Sequence, residues 1–588
     1  MKVMKNLQQT FQGITRAGTR YPLTLLFLLA VTIVNAIRIN QEKDLYTNLL
    51  FTLFVGAIVS GVAQQLYERF FHKQSQRFIL MAAAILITVV YYFIIPTTNL
   101  YDLEVGIKTS VFIFALVLLF ILIPTIKSKL TFNESFMAAF KAFFITLLFT
   151  LIIAAGVSSI LFAIDRLLFP IGNKLMLHVS NVIFSLFATL YYLSFTPLYE
   201  DNKNYKTEKL EEATSVPKML EILISYVIIP LTVVYTAILL AYIVLNIRSN
   251  FWTDNLLEPM LVSYAVIVII VYLLSSTIKN QFAGLFRKIF PKLLVPIVLF
   301  QTIASVLKIG EMGITQGRYY VILFGLFATI AGLIFSFLPV NKNGIAIAIL
   351  IVFCILSIIP PIDAFTVSRI NQTNLLEEIL VKNKMLEKDK IIPTSSISKG
   401  DKIKITGTAN YLAEMNYARK IDWLPDDLSS NNKFEKTFGF EKEYENQDIG
   451  DMGRYINLSY EEDFNLSLEG YQHLIRLHLY PSDSDLSNEK EFHFEVDGLE
   501  YTLVQQFKDN GYTLELRDNQ NKEKINVDMQ PIFETMLTDE NIKKEGLSVD
   551  EATIVEENDQ VEMKIIVETL NEYDNQYNGD FYLFVRFK

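Results

Sequence analysis

Glu311, Thr315 and Arg318 put a carboxylate, a hydroxyl and a guanidinium within eight residues, and Tyr319 follows at once. A guanidinium presents a planar fork of donors suited to phosphate, carboxylate or vicinal sugar hydroxyls, and a neighbouring carboxylate can orient or activate what it holds. Ser368 and Gln372, two apolar runs further on, fall on the same predicted side of the membrane. The six residues therefore read as a candidate outer-surface contact for an anion or a carbohydrate. Glu311 and Arg318 are the one pair placed for chemistry on a lipid-linked substrate. The plainer alternative is a rigid hairpin: Gly310 and Gly313 permit a tight turn, Thr315 caps the helix beginning near Arg318, and Arg318, Tyr319 and Tyr320 are interfacial anchors. A second constellation lies inside apolar runs. Pro230 interrupts one and Pro296 another, and a proline frees a carbonyl that can line a ligand site, so Pro230, Tyr235 and Gln301 form a candidate intramembrane pocket.

Elsewhere the side chains with chemistry are sparse. His473 and His478 are five apart, so on one strand they face opposite ways and cannot share a metal. His493 starts another strand and reads as a surface imidazole. Asp426-Asp427, Glu461-Glu462-Asp463 and Asp483-Asp485 lack the glycine-containing calcium-loop pattern and read as solvated charge. No Gly-x-Ser-x-Gly, His-Glu-x-x-His or phosphate loop occurs, so no cofactor or metal is expected.

What must position these groups is mostly lipid-embedded helix. The chain has 588 residues, 52% of them hydrophobic and 19% charged, and a mean hydropathy of +0.33. Eleven apolar runs near 20 residues are expected spans, at 21–38, 49–66, 78–95, 109–126, 140–163, 176–197, 219–246, 260–278, 289–307, 319–338 and 344–360. The first is read as a retained helix, since no small-residue cleavage pattern follows it. Residues 1–364 carry 27 Lys/Arg and 17 Asp/Glu, leaving 25 and 45 for residues 365–588. With a cytoplasmic amino terminus, cytoplasmic segments hold about 18 basic residues against about 8 opposite, which predicts that the tail lies beyond the cytoplasm. Its acidity argues against a nucleic-acid partner; the bilayer, and an envelope protein or small ligand on the tail, are the expected partners. Lys141, Asp165, Arg166, Glu221 and Lys308 sit near span ends, where snorkelling accounts for the cations and Asp165 beside Arg166 neutralises an interface. The single cysteine, Cys354, lies in a span and excludes an intramolecular disulfide.

Three regions follow: a helical membrane domain over 1–364, an amphipathic helix and linker over 365–398, and a soluble α+β domain over 399–588. The helix shows an apolar stripe at Ile370, Leu375, Leu376, Ile379, Leu380 and Leu386. Beyond Gly400 the period alternates, and Asp497-Gly498 and Asn510-Gly511 are strong hairpin signals. Val561–Thr569 is expected to pair with Phe581–Phe587 across a turn at Asn578-Gly579.

The stretch Lys308 to Tyr320 resembles a signature of the uncharacterised polytopic bacterial membrane proteins catalogued as domain of unknown function 4153. Ile309, Gly313, Thr315, Arg318 and Tyr319 match; Lys308 stands where the family usually has Arg and Met312 where it favours Tyr. Pro230-Leu231, Tyr235, Leu239 and Ala241-Tyr242, and later Pro361-Ile362-Asp363-Ala364 with Val367-Ser368 and Gln372, are similar to further family segments. The resemblance implies a multi-pass membrane protein with no assigned reaction. Three readings follow: a non-catalytic envelope platform presenting a binding or sensing domain, a transporter or permease for a small or lipid-like molecule, and an envelope enzyme acting on a lipid-linked substrate.

Overall fold

A computed structural model of the chain describes residues 12–41, 46–94, 103–198, 208–246, 257–426, 428–444, 454–458, 468, 470–479, 490–508, 511–542, 544, 546–573 and 576–588. These form two compact units, Met1–Ser429 and Ser430–Lys588.

Among the described residues, nine helices of the first unit are long and apolar enough to cross a bilayer, and two shorter apolar helices complete the set. In chain order they are α1 (Pro22–Gln41), α2 (Thr47–Phe70), α3 (Gln74–Ile94), α4 (Leu103–Leu122), α5 (Phe132–Leu167), α6 (Asn173–Ser194), α7 (Leu210–Leu245), α8 (Leu257–Ser275), α9 (Gln281–Leu307), α10 (Gln316–Phe337) and α11 (Gly344–Leu356). The eleven expected spans each correspond to one of them, the short pair being α8 and α11. This is a polytopic membrane protein. Its large exposed apolar side chains, such as Phe78, Leu86 and Phe93 on α3 and Phe144, Leu148 and Ile152 on α5, are what lipid-facing surface requires.

The helix ends follow from local chemistry. Thr131 and Glu134 form a reciprocal capping box at the start of α5. α6 and α7 each contain a π-helical stretch, Val182–Phe187 and Ile224–Ile228. Pro291 and Pro296 both lie inside α9, which continues through them. α9 packs against α10 across two glycines seven residues apart. A Cβ on Gly325 would strike the Thr302 side chain, and one on Gly332 would lie 2.8 Å from Val295 Cγ2 and 3.1 Å from the Pro291 carbonyl oxygen. Small residues here let two backbones meet where lipid offers no hydrophobic drive to hold helices together.

After α11 the chain turns into α12 (Ala364–Lys382), capped by Asp363, and then α13 (Lys399–Glu414). The buried face of α12 is Phe365, Ser368, Gln372, Leu376, Ile379 and Leu380. Ile370, expected in the apolar stripe, is 51% exposed. The stripe is displaced because two polar residues share the buried face, for a reason given below. Lys308 also departs from expectation. It is only 7% exposed, on the same side of α9 as buried Gln301 and Ser305, so it is covered by protein rather than standing on an open helix end.

The second unit carries helix α14 (Asn431–Phe438), strands β1 (Arg454–Asn457), β2 (His473–Leu479), β3 (Lys490–Val496), β4 (Leu499–Lys508), β5 (Gly511–Asp518) and β6 (Glu523–Asp528), helix α15 (Met529–Met536), and strands β7 (Thr553–Glu557), β8 (Val561–Tyr573) and β9 (Gln576–Phe587). β3-β4-β5-β6 is an antiparallel meander; β1-β8-β9-β2 is a second antiparallel sheet, with β7 also on β8. Both sheets and α15 contribute to one core, including Leu503, Leu514, Phe533, Ile565, Phe581 and Leu583. The fold class is therefore a helical membrane bundle followed by an α+β domain with meander strands. The Asp497-Gly498 turn forms as its left-handed dipeptide requires. Asn510 lies outside the described residues. The last hairpin corrects expectation: Val561 pairs with Phe587 and Val567 with Phe581, but β9 begins at Gln576, so Asn578-Gly579 lies within the strand. Gly579 serves there as a close-approach residue, since a Cβ would strike the Thr569 carbonyl and come within 2.8 Å of the Phe581 ring.

Candidate functional site

A four-residue helical turn, Ile309–Met312, leads to Gly313 at φ 69°, a conformation a side chain resists. Thr315 then caps α10, its Oγ1 accepting from the Arg318 backbone N–H at 3.3 Å. The hairpin leaves carbonyls that no helix satisfies, and polar side chains supply the missing donors. Arg318 Nη1 donates to the Gly313 carbonyl at 2.6 Å. Gln372, 1% exposed, donates from Nε2 to the Met312 carbonyl at 2.9 Å and the Ile314 carbonyl at 3.3 Å. Its neighbour Asn371 accepts from the Ile314 N–H at 2.6 Å. Ser368, fully buried, accepts from the Tyr411 hydroxyl at 3.0 Å, and Tyr411 also bonds Gln316 through both its backbone N–H and its side-chain oxygen. Tyr319 donates to the Ile362 carbonyl at 2.7 Å. Burial raises the Tyr411 phenol above its ordinary range, so the hydroxyl stays protonated.

The structure thus brings Thr315, Arg318, Ser368 and Gln372 together, with Tyr319 alongside, as a clamp between the α9–α10 hairpin and the helices after the last span. The Glu311 side chain lies outside the described residues. A Cβ on Gly313 would sit 2.7 Å from Gln372 Nε2 and 2.8 Å from Asn371 Oδ1, which explains both the glycine and the polar buried face of α12.

Beside the clamp is an ionic cluster that sequence reasoning missed. Asp363, fully buried, caps α12 by accepting from Phe365 N and Thr366 N at 3.1 Å each, and pairs with Lys108 of α4 at 2.9 Å. Lys108 also meets Glu104 at 2.7 Å. Burial alone raises the Asp363 carboxyl, but bonds from Thr366 and Lys108 hold it below the ordinary carboxylate range. The signal was present: a Pro-Ile-Asp-Ala run entering a helix is a capping signature, though nothing local names Lys108 as its partner. A second cluster, also missed, joins the segment just before α1 to α2 and α3. Arg20 meets Glu68 through a two-pronged pair, Nε at 2.8 Å and Nη2 at 2.6 Å, and Arg77 donates to Gln64 at 3.1 Å and to the Arg20 carbonyl at 2.8 Å.

The intramembrane candidates do not converge. Pro230 sits in α7 just after the π-helical stretch, and Tyr235 donates to the Met260 carbonyl at 3.2 Å and packs on Tyr264 at 5.9 Å between ring centroids. Gln301, 2% exposed on α9, has no hydrogen-bond partner for either amide atom among the described residues. No described contact joins it to Pro230 or Tyr235. On the tail, His478 meets Asp580 at 2.5 Å and His473 the Glu495 carbonyl at 3.1 Å, both solvent-exposed contacts. Among the described residues no group of three or more His, Cys, Asp or Glu is placed to hold a metal ion.

A family model described as Domain of unknown function (DUF4153) matches residues 23–388. That range takes in the membrane helices from Leu23 on, the Asp363 cluster and the clamp apart from Tyr411 of α13. No curated protein and no solved structure matches the chain.

Proposed function

We propose that this chain, which belongs to the family carrying Domain of unknown function DUF4153, is a non-catalytic platform in a bacterial cytoplasmic membrane. Its amino terminus is cytoplasmic, and its acidic carboxyl-terminal domain stands outside, where it binds or senses an envelope partner or small ligand. The observation that carries this reading is the clamp. The Gln372 amide and one nitrogen of the Arg318 guanidinium go to backbone carbonyls of the hairpin, and Gln372 with Asn371 fastens α12 where the chain leaves the bilayer. A fixed exit suits a protein that presents a domain. The charge contrast between 27 Lys/Arg with 17 Asp/Glu and 25 with 45 supports the orientation. So does parity, because nine crossings and eleven leave the two ends on opposite sides.

Sidedness tests it. In a Cys354→Ser background, Lys588→Cys should react with a membrane-impermeant maleimide on intact cells; reaction only after lysis overturns the reading. A second reading, transport of a small molecule, draws on Gln301, whose buried amide, unpaired among the described residues, is the kind of group a permeation path would use. A chain ended at Ser429 separates the two: a platform loses its cellular function with the domain, whereas a permease keeps its flux.

A further inference from the structure

Two polar side chains in the core of the second unit are left incomplete. Gln505 is 9% and Tyr512 3% exposed, yet the Gln505 Oε1 and the Tyr512 hydroxyl have no hydrogen-bond partner among the described residues. The strand register brings them together. Phe507 of β4 stands opposite Tyr512 of β5 and Gln505 opposite Leu514, so Gln505 and Tyr512 are diagonal neighbours on one face of the meander. That face is the inner one, since Leu503, Tyr512 and Leu514 share a core with Leu477 and Leu479 of β2. Gln505 Nε2 donates to the His478 carbonyl of β2 at 3.3 Å, which fixes Oε1 as the atom left over. β3 begins at Lys490, opposite Gln505, so Phe507 and Tyr512 lie beyond the end of that strand.

A buried acceptor and a buried hydroxyl that the fold does not complete call for an occupant. Gln505 Oε1 can only accept, so the occupant must donate to it. Burial raises the Tyr512 phenol, which keeps its proton and can donate in turn. An ionised carboxylate or phosphate has no proton to give Gln505, and a cation set among Leu503, Leu514 and Phe533 would lack the pairing that buried charge demands. A hydroxyl meets both demands with one oxygen. Phe507 lies 4.7 Å and Phe533 6.3 Å from Tyr512 between ring centroids, so a carbon body beside that hydroxyl has ring surface to lie against. We infer that the inner face of the meander binds a neutral molecule by one hydroxyl, which donates to Gln505 Oε1 and accepts from the Tyr512 hydroxyl. This assignment rests on the reading of the domain as the part that binds a small ligand, and it supplies the site.

The test uses the full chain in lipid nanodiscs, with fluorotyrosine in place of Tyr512 alone, titrated with glucose, cyclohexanol and cyclohexanone. Glucose or cyclohexanol should shift the fluorine resonance, and which of them does so tells a sugar from a simple alcohol. Cyclohexanone, a ring of the same size with no proton to donate, should bind about tenfold more weakly than the hydroxyl probe. Gln505→Leu should weaken the hydroxyl probe about tenfold and leave cyclohexanone as it was. No shift with either hydroxyl probe means that the pair holds water only and overturns the assignment, as does an equal response to cyclohexanone. Both of those readings come from the chain with Gln505 intact, so a misfolded variant does not blunt them. Sidedness does not enter: a shift in a chain whose tail proves cytoplasmic would sink the orientation and keep the site, and no shift with the tail outside would do the reverse.

Discussion

The clamp and the Gln301 site are both buried polar clusters in the membrane unit, and they obey opposite rules. At the clamp Asn371, Gln372 and Arg318 answer backbone groups that the Gly313 turn leaves open, so geometry dictates residue type. At Gln301 a whole amide is buried with neither atom paired among the described residues. Buried polarity that completes a backbone is structural, and buried polarity that completes nothing is the place to look for a ligand or water.

The most damaging change should be Gly313→Ala. It forces a side chain into a left-handed turn and onto Gln372 and Asn371, at about 3 kcal/mol, read as a loss of thermal stability of the purified chain. Gln372→Ala should cost about 2 kcal/mol, because the Met312 and Ile314 carbonyls lose their donor inside the protein. Asp363→Asn keeps the cap and loses the ion pair, for about 1 kcal/mol. The carboxyl of Asp363 is held below its ordinary value in the folded chain, so its contribution is present above that value and disappears as pH falls through the lower one. Acid unfolding of the unaltered chain should therefore begin below about pH 4 and be shallower in the variant. Gln301→Leu should leave stability unchanged or raise it by about 1 kcal/mol, since two unpaired atoms vanish. A loss instead would show that the amide holds a water or solute, and would favour transport. The smallest effect belongs to His478→Ala, within about 0.5 kcal/mol for an exposed pair, and Arg318→Ala should exceed it in any loss-of-function assay.

The membrane helices were legible because lipid imposes a length and a composition that the chain cannot disguise. Thr315 as a cap and Gly313 as a turn were legible because each acts within a few residues. Tyr411 and Lys108 were not. Their partners are 95 and 43 residues away at Gln316 and Ser368, and in another helix at Asp363, and no local pattern carries that information. Ile370 was misjudged for a related reason: periodicity assumes that buried means apolar, and the buried face of α12 is polar where it must serve the hairpin. Asn578-Gly579 shows the reverse error, a turn dipeptide kept inside a strand because a neighbouring backbone passes too close for any side chain.

The seam between α9 and α10 constrains how the gene can vary. Gly325 and Gly332 are two helical turns apart and so share one edge of α10. One codon added or deleted between them would swing the second by about 100 degrees and bring Ala331 or Leu333 to the Pro291 carbonyl, where even a Cβ lies at 3.1 Å. Between the two glycines this stretch can change its letters but not its count.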